Sequence, residues 1–340
     1  MEYAQFGTAG VRVSRLALGM ALRGQSDEAQ VERLILSAFD RGINLFDCAN
    51  VYGLMDDRAF AGRSEEILGH ALRAHREEVV ITSKVAGAIG PGPNDHGTSR
   101  YHVMREVERS LRRLRTDRID VYLLHHFDSA TPLEEQLRSL EDLIRQGKIR
   151  YAGVCNYQAW QACRALWVQD RLGFSPLIAV QNPYSLLNRG LEADMFPLVR
   201  SLGLGVMAYA PLATGLLSGT YRPDAPPPAG TLWGSRRRDQ FSQTLAGRAA
   251  DVLTVVSGVA TRLGAAVPQV ALAWVLAHPE VSVAISGADT FAQLEQNLGA
   301  LNVELSADDL RLLNDVSAGL SIPLDGAQYG PPVPKPPQPV

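Results

Sequence analysis

The chain has 340 residues, 46% of them hydrophobic, and 33 Lys and Arg against 36 Asp and Glu give a net charge of −3 and a pI near 6.2. That balance argues against a surface built for nucleic acid or anionic membrane, and the length suits one large α/β domain or two small ones. Cys48, Cys155 and Cys163 include no CxxC pair and imply no disulfide framework, and neither a signal peptide nor a membrane span is legible. The expectation is a soluble cytoplasmic protein acting on small molecules, with no nucleic-acid, membrane or metal partner.

In chain order, residues 2–14 carry a Gly-Thr-Ala-Gly turn between extended pieces and read as a small hairpin. Strand 15–20 precedes helix 27–42, with Val31, Leu34, Ile35, Ala38 and Phe39 at helical spacing and Gly42 closing it. Strand 44–50, helix 64–75, strand 79–85, helix 101–114, strand 119–125 and helix 133–146 follow. Next come strand 149–156, helix 157–172, strand 177–184, helix 192–202 and strand 205–210. A long loop over 211–245 leads to helices 246–263 and 268–277, strand 281–286, helix 291–301 and a further helix at 307–317. Eight strand-helix pairs predict an α/β protein, a (β/α)8 TIM barrel with an N-terminal β-hairpin and an extra C-terminal helix. The rival doubly wound sheet lacks its glycine fingerprint, because Leu18-Gly19-Met20-Ala21-Leu22 is not GxGxxG. The expected domain is residues 1–325, and residues 326–340 read as a proline-rich tail, either a flexible polyproline end or a segment folded back over the site.

In such a barrel the chemistry sits at the carboxyl ends of the strands. Those ends carry Asp47 with Tyr52, then Lys84, His125, Cys155 with Asn156, Gln181, Tyr209 and Ser286 with Gly287. Each alone has a structural reading, since Asp47 serves as well as a turn or capping carboxylate and His125 as a satisfied histidine at a strand end. Together they make a set for proton transfer. A tyrosine titrates near pH 10 when unperturbed, too high for easy exchange at neutral pH. An ammonium such as Lys84 stabilises the phenolate, Asp47 keeps the lysine charged and oriented, and His125 hydrogen-bonds the same substrate oxygen.

Asp47, Tyr52-Gly53, Lys84 and His125, together with the segment Gly147-Lys148-Ile149-Arg150-Tyr151-Ala152-Gly153-Val154-Cys155-Asn156, resemble the aldo-keto reductase superfamily, in its bacterial, potassium-channel-beta-like or aldose-dehydrogenase-like branches. The likeness runs from about Tyr3 to Gly319. It implies a (β/α)8 barrel with a hairpin closing its base, and a nicotinamide cofactor bound without a Rossmann domain. It also implies carbonyl-alcohol interconversion with Tyr52 as general acid or base, Lys84 and Asp47 as its tuning pair, and His125 orienting the carbonyl. Asn156 and Gln181 would hold the nicotinamide carboxamide, and Tyr209 would stack on the ring. The turn containing Leu212, Gly215 and Leu217 would wrap the pyrophosphate, while Gln296 and Asn297 would reach the adenine.

Cys155 and Ala210 stand where the family often has serine. Ser286-Gly287-Ala288-Asp289-Thr290 lies where it commonly places a lysine or arginine on the cofactor's 2′-phosphate, and Gln293 replaces a frequent second arginine. NADP(H) is therefore the cofactor expected from the family's habit, while Asp289 leaves NAD(H) open, as a ribose-binding acid would. Leu22, Tyr52, His126 and Phe127 are candidate substrate contacts. His125 and His126, adjacent on a strand, should point to opposite sides. An aldehyde, ketone or sugar substrate fits these groups. The alternatives are an NAD-dependent lactol-to-lactone dehydrogenase, a Schiff-base aldolase acting through Lys84, and a non-catalytic cofactor-sensing subunit.

Overall fold

The structure, a computed structural model, describes residues 1–322; the proline-rich tail expected at 326–340, and the last residues of the expected domain, lie outside the described residues. Strands β1 (Tyr3–Gln5) and β2 (Arg12–Ser14) form the antiparallel hairpin. Strands β3 (Leu16–Gly19), β4 (Leu45–Asp47), β5 (Val80–Val85), β6 (Ile119–Leu124), β7 (Ile149–Cys155), β8 (Leu177–Pro183), β9 (Gly205–Tyr209) and β10 (Val281–Ser286) then make a closed parallel barrel, in which β10 pairs with both β9 and β3. The expected barrel and its base hairpin are thus present. Closure leaves the barrel without an edge strand, so each of its eight strands is paired on both sides.

The surrounding helices are α1 (Glu28–Asp40), α2 (Arg63–Ala71), α3 (Arg100–Leu114), α4 (Leu133–Arg145), α5 (Ala159–Leu172), α6 (Met195–Leu202), α7 (Leu232–Ser235), α8 (Arg238–Thr244), α9 (Arg248–Leu263), α10 (Val267–Leu276), α11 (Phe291–Leu298) and α12 (Ala307–Ser317). Their boundaries follow from capping and periodicity. Asp27 accepts the Ala29 and Gln30 amides to start α1, whose Val31, Leu34, Ile35 and Ala38 form the buried stripe. On α4 the same role falls to Leu133, Leu137, Leu140 and Leu143. Among the described residues no single helix is long and apolar enough to cross a membrane.

Two apolar layers result. One lies between barrel and helices. The other fills the barrel and includes Leu45, Val121, Leu123, Ala179, Met207 and Val283, with Phe6 and Val13 of the hairpin segment plugging its base. The interior is a packed core, so a ligand has access only from the carboxyl end.

Three stretches differ from the sequence expectation. The strand expected over 44–50 is regular only at Leu45–Asp47, although the Cys48 and Asn50 amides still reach Thr82 and Lys84 carbonyls on β5. Helix 64–75 stops at Ala71 and continues as a tighter 3-10 turn, Arg73–Glu78. The loop expected over 211–245 contains α7 and α8, each held by one buried aromatic, Trp233 and Phe241. Helices of one or two turns carry too little periodicity to be legible in a sequence.

Candidate active site

Side chains alternate across a strand, so the parity that points Leu45, Val121, Leu123, Ala179 and Met207 into the barrel also points Asp47, His125, Gln181 and Tyr209 inward, one layer nearer the carboxyl end. Lys84 and Thr82 share one face of β5, whereas Ser83 faces outward and donates to Glu65 on α2. The sequence therefore builds a polar layer on top of an apolar one.

At its centre is an ion pair. Lys84 is fully buried, and its Nζ donates to Asp47 Oδ2 at 2.7 Å and to the Cys48 carbonyl at 2.8 Å. Asp47, also buried, accepts at its other oxygen from Thr82 Oγ1 at 2.5 Å and from Gln181 Nε2 at 2.8 Å. A buried carboxylate is tolerable only with such partners. The Lys84 ammonium lies 4.7 Å from the centroid of the Tyr52 ring, and the Tyr52 hydroxyl is 3.5 Å from His125 Nε2. The Tyr52 and His125 rings meet edge to face with centroids 5.6 Å apart. The four residues named from the sequence thus converge.

His125 is buried, and burial pushes its pKa well below the usual histidine value, aided by the positive charges of Lys84 and Arg58. It is therefore neutral at physiological pH, able to share a hydrogen bond without carrying charge.

Tyr52 follows β4 on a loop whose path depends on Gly53. A Cβ there would come 2.5 Å from Phe60 O and 2.7 Å from Asp57 O. Asn50 fixes the approach to Tyr52, its amide N donating to the Lys84 carbonyl and its side chain to the buried Glu106 on α3. The sequence reading passed over Thr82, Asn50 and Glu106; for Thr82 the signal was its place two residues before Lys84, on the same face.

Asn156 ends β7 at φ 59°, a left-handed conformation that asparagine tolerates. Its side chain donates to the His125 carbonyl at 3.0 Å and accepts from the Tyr209 hydroxyl at 2.7 Å. Cys155, buried beside it, lies with its Sγ 3.5 Å from Gln181 Oε1. Asn156, Gln181 and Tyr209 therefore form a wall next to the tetrad.

The segment after β9 makes a compact turn with positive φ at Ala210, Ala213, Thr214 and Gly215, leaving Leu217 buried and Leu212 half-buried. Trp233 Nε1 donates to the Thr214 carbonyl at 3.0 Å, and Arg236 reaches the Met55 carbonyl at 2.9 Å, linking this segment to the loop that follows Tyr52. Thr214 Oγ1 is buried without a hydrogen-bond partner among the described residues, the kind of donor a phosphate oxygen satisfies. With two side-chain amides at the barrel rim and an exposed Gly287 whose Cβ position is open, the residues present fit a nicotinamide dinucleotide.

Beyond β10, Gln293 Oε1 accepts the Asp289 amide at 2.6 Å, and Thr290 rather than Asp289 caps α11. Asp289 is exposed as a residue, yet its carboxylate is tucked against Gly24. Burial raises its pKa, opposed by hydrogen bonds from the Gln25 side chain and the Gly24 amide. Asn297 is buried and donates to Ser286 Oγ and the Gly287 carbonyl, whereas Gln296 is exposed.

On the remaining side, Leu22 is buried at φ 51°. His126 is half-buried, and its Nε2 lacks a hydrogen-bond partner among the described residues. Phe127 packs edge-on against Tyr157 and Trp160 at centroid distances of 5.4 and 5.8 Å.

The sequence that builds this site has relatives among known proteins. The profile of the aldo/keto reductase family matches residues 15–318. The chain is 38% identical over 327 residues to the uncharacterized oxidoreductase YrpG of Bacillus subtilis, covering 94% of this chain and 97% of the relative. It is 35% identical over 314 residues to a probable voltage-gated potassium channel subunit beta of Arabidopsis thaliana, covering 89% and 92% of the two chains. A protein of the same description from Oryza sativa subsp. japonica matches equally well, at 35% over 314 residues and the same coverage. With most of its length matched and its barrel closed as described, the chain belongs to the aldo/keto reductase family of nicotinamide-dependent carbonyl oxidoreductases.

Proposed function

We propose that the protein interconverts an aldehyde, ketone or sugar carbonyl and its alcohol, with Tyr52 exchanging the proton and NADP(H) as the preferred cofactor. The observation that carries this reading is the phenol of Tyr52 set between the Lys84 ammonium, 4.7 Å from its ring centroid, and His125 Nε2, 3.5 Å from its hydroxyl. When bound, the nicotinamide supplies or accepts the hydride. Lys84 favours the phenolate left when Tyr52 gives up its proton, and Asp47, held by Thr82 and Gln181, keeps that ammonium in place. His125, neutral and hydrogen-bonding, orients the carbonyl oxygen.

On the cofactor side, Asn156 and Gln181 hold the carboxamide and Tyr209 packs on the ring. The turn with Leu212, Gly215 and Leu217 wraps the pyrophosphate, and Gly287, Asp289, Gln293, Gln296 and Asn297 border the adenosine end. Leu22, His126 and Phe127 border the substrate. The preference for NADP(H) is supported by the engagement of the Asp289 carboxylate with Gly24 and Gln25, which ties it to the loop after β3 instead of presenting it to a ribose.

The test is steady-state oxidation of NADPH, and separately NADH, with a panel of neutral aldehydes. Turnover with lower KM for NADPH supports the reading. Turnover with NADH, or with NAD+ and aldoses only, moves it to the sugar dehydrogenase. A second reading, an auxiliary subunit of an ion channel, is favoured by the 35% identity to the two plant proteins. It predicts tight cofactor binding with negligible turnover of every carbonyl tried.

A further inference from the structure

Helix α3 carries a carboxylate on the stripe that it buries. Glu106 lies among Val103, Val107, Ser110 and Leu111 on that side of the helix and is 1% exposed. A charge in such a position needs partners, and its two oxygens find different ones. Oε1 accepts from Arg109 Nη1 at 2.8 Å and lies 3.8 Å from Arg105 Nε, whereas Oε2 accepts from Asn50 Nδ2 at 3.1 Å. The arginines balance the charge without Asn50, and an apolar residue would fill the same stripe with no charge to bury. Stability alone therefore leaves the bond to Asn50 unexplained.

Asn50 belongs to the segment that joins β4 to Tyr52, and that segment is laced to β5. The Cys48 amide donates to the Thr82 carbonyl at 2.9 Å, the Asn50 amide to the Lys84 carbonyl at 3.3 Å, and the Lys84 ammonium to the Cys48 carbonyl at 2.8 Å. The Tyr52 amide then closes a turn on the Ala49 carbonyl at 3.1 Å. Asn50 is buried, and its Oδ1 has no hydrogen-bond partner among the described residues, so the bond to Glu106 is what orients its side chain. Glu106 thus grips, from a helix outside the barrel, a residue bonded to Lys84 and placed two before Tyr52.

We propose that Glu106 is a positioning residue for the proton step: through Asn50 it holds the turn that carries Tyr52 at the separation from Lys84 that the chemistry uses. The inference rests on the oxidoreductase reading above. The Tyr52 ring centroid lies 4.7 Å from Lys84 Nζ, and the two groups come from different segments, so packing and hydrogen bonds must set that distance. With the anchor cut, the turn keeps its backbone bonds but gains freedom, and a misplacement of about 1 Å at the phenol costs up to about a hundredfold in rate.

The experiment uses the full chain and compares wild type with Asn50→Ala, Glu106→Ala, the double variant and Glu106→Gln in NADPH-dependent reduction of benzaldehyde, with NADPH binding followed by fluorescence. In each alanine variant kcat should fall about ten- to hundredfold, while KM for the aldehyde and NADPH affinity change by less than about threefold. The double variant should lose no more rate than the slower single one, because both substitutions cut the same link. Glu106→Gln should recover most of the rate: an amide there still pairs with Asn50, whose side chain offers either a donor or an acceptor. Recovery without the charge is an outcome that a merely structural ion pair with Arg109 does not produce. If Glu106→Ala fails to fold, Asn50→Ala decides, since it leaves the pairing of Glu106 with the arginines in place. A kcat within about twofold of wild type in Asn50→Ala, or rate losses that add in the double variant, would overturn the assignment. If wild type turns over no carbonyl with either cofactor, the oxidoreductase reading itself fails and this inference falls with it.

Discussion

At the scale of single residues, the Lys84–Asp47 pair dominates. Both groups are buried, with Lys84 Nζ 2.7 Å from Asp47 Oδ2, and removing one partner leaves the other as an uncompensated charge. Lys84→Met should therefore destabilise the fold by about 3–5 kcal/mol as well as suppress turnover, since burying a lone carboxylate costs about that much. Urea unfolding checks the first effect; a loss below about 1 kcal/mol would mean that Asp47 takes up a proton or solvent enters the site. Asp47 was recognisable from the sequence because a carboxylate at the end of an apolar run needs a partner. Its bonds to Thr82 and Gln181 were hidden, because they join β4 to β5 and β8 across the barrel. Asp289 was hidden in another way: its position in the chain marks it as a candidate ribose ligand, while its carboxylate lies against Gly24, a residue far away in sequence.

At the scale of elements, the site depends on how β4 ends. Regular pairing stops at Asp47, and the chain then turns through Tyr52 and folds residues 54–60 back over Gly53. Gly53 has an extended backbone, φ −140°, so its requirement is one of space and not of dihedral angle. Gly53→Ala should push the 54–60 loop away, costing about 1–3 kcal/mol of stability as overpacked substitutions do, and should reduce turnover through displaced Tyr52 with smaller change in cofactor affinity. Thermal melts and NADPH titration measure the two effects; a variant with wild-type kcat would show that the loop relaxes without moving the phenol. Long elements such as α3 and α4 were legible because several buried residues recur at helical spacing. The irregular 54–60 loop and α7 were not, because each is held by tertiary contacts, including the Arg236 hydrogen bond to the Met55 carbonyl and the Trp233 bond to Thr214.

For the whole molecule, the barrel was readable because eight strand-helix pairs and the top-layer residues obey one parity rule, and the missing glycine fingerprint ruled against the open sheet. The choice of cofactor and substrate was not, because both depend on loops outside the repeat. The packed core also sets an acid limit on stability. Burial pushes the pKa values of His102, His125 and His278 down in the fold, whereas in the unfolded chain they titrate near the ordinary histidine value of about 6.5. The unfolded state then binds more protons below that pH, so the stabilisation is complete above about 6.5 and is lost as pH falls toward the folded-state values. Each proton contributes a slope of about 1.4 kcal/mol per pH unit. The melting temperature should accordingly drop as pH goes from 7 to 5, before the carboxylates titrate; a flat profile over that interval would show that these imidazoles protonate within the fold.

The central claim is that Tyr52 exchanges the proton, and the most direct measurement is a comparison of wild type with Tyr52→Phe in single-turnover NADPH oxidation, alongside NADPH binding by fluorescence. The account predicts a loss of turnover of about 10²–10⁴-fold, the range for a positioned general acid, with the dissociation constant for NADPH changed by less than about twofold. Turnover near the wild-type rate, or a fall in NADPH affinity matching the loss of rate, would contradict it.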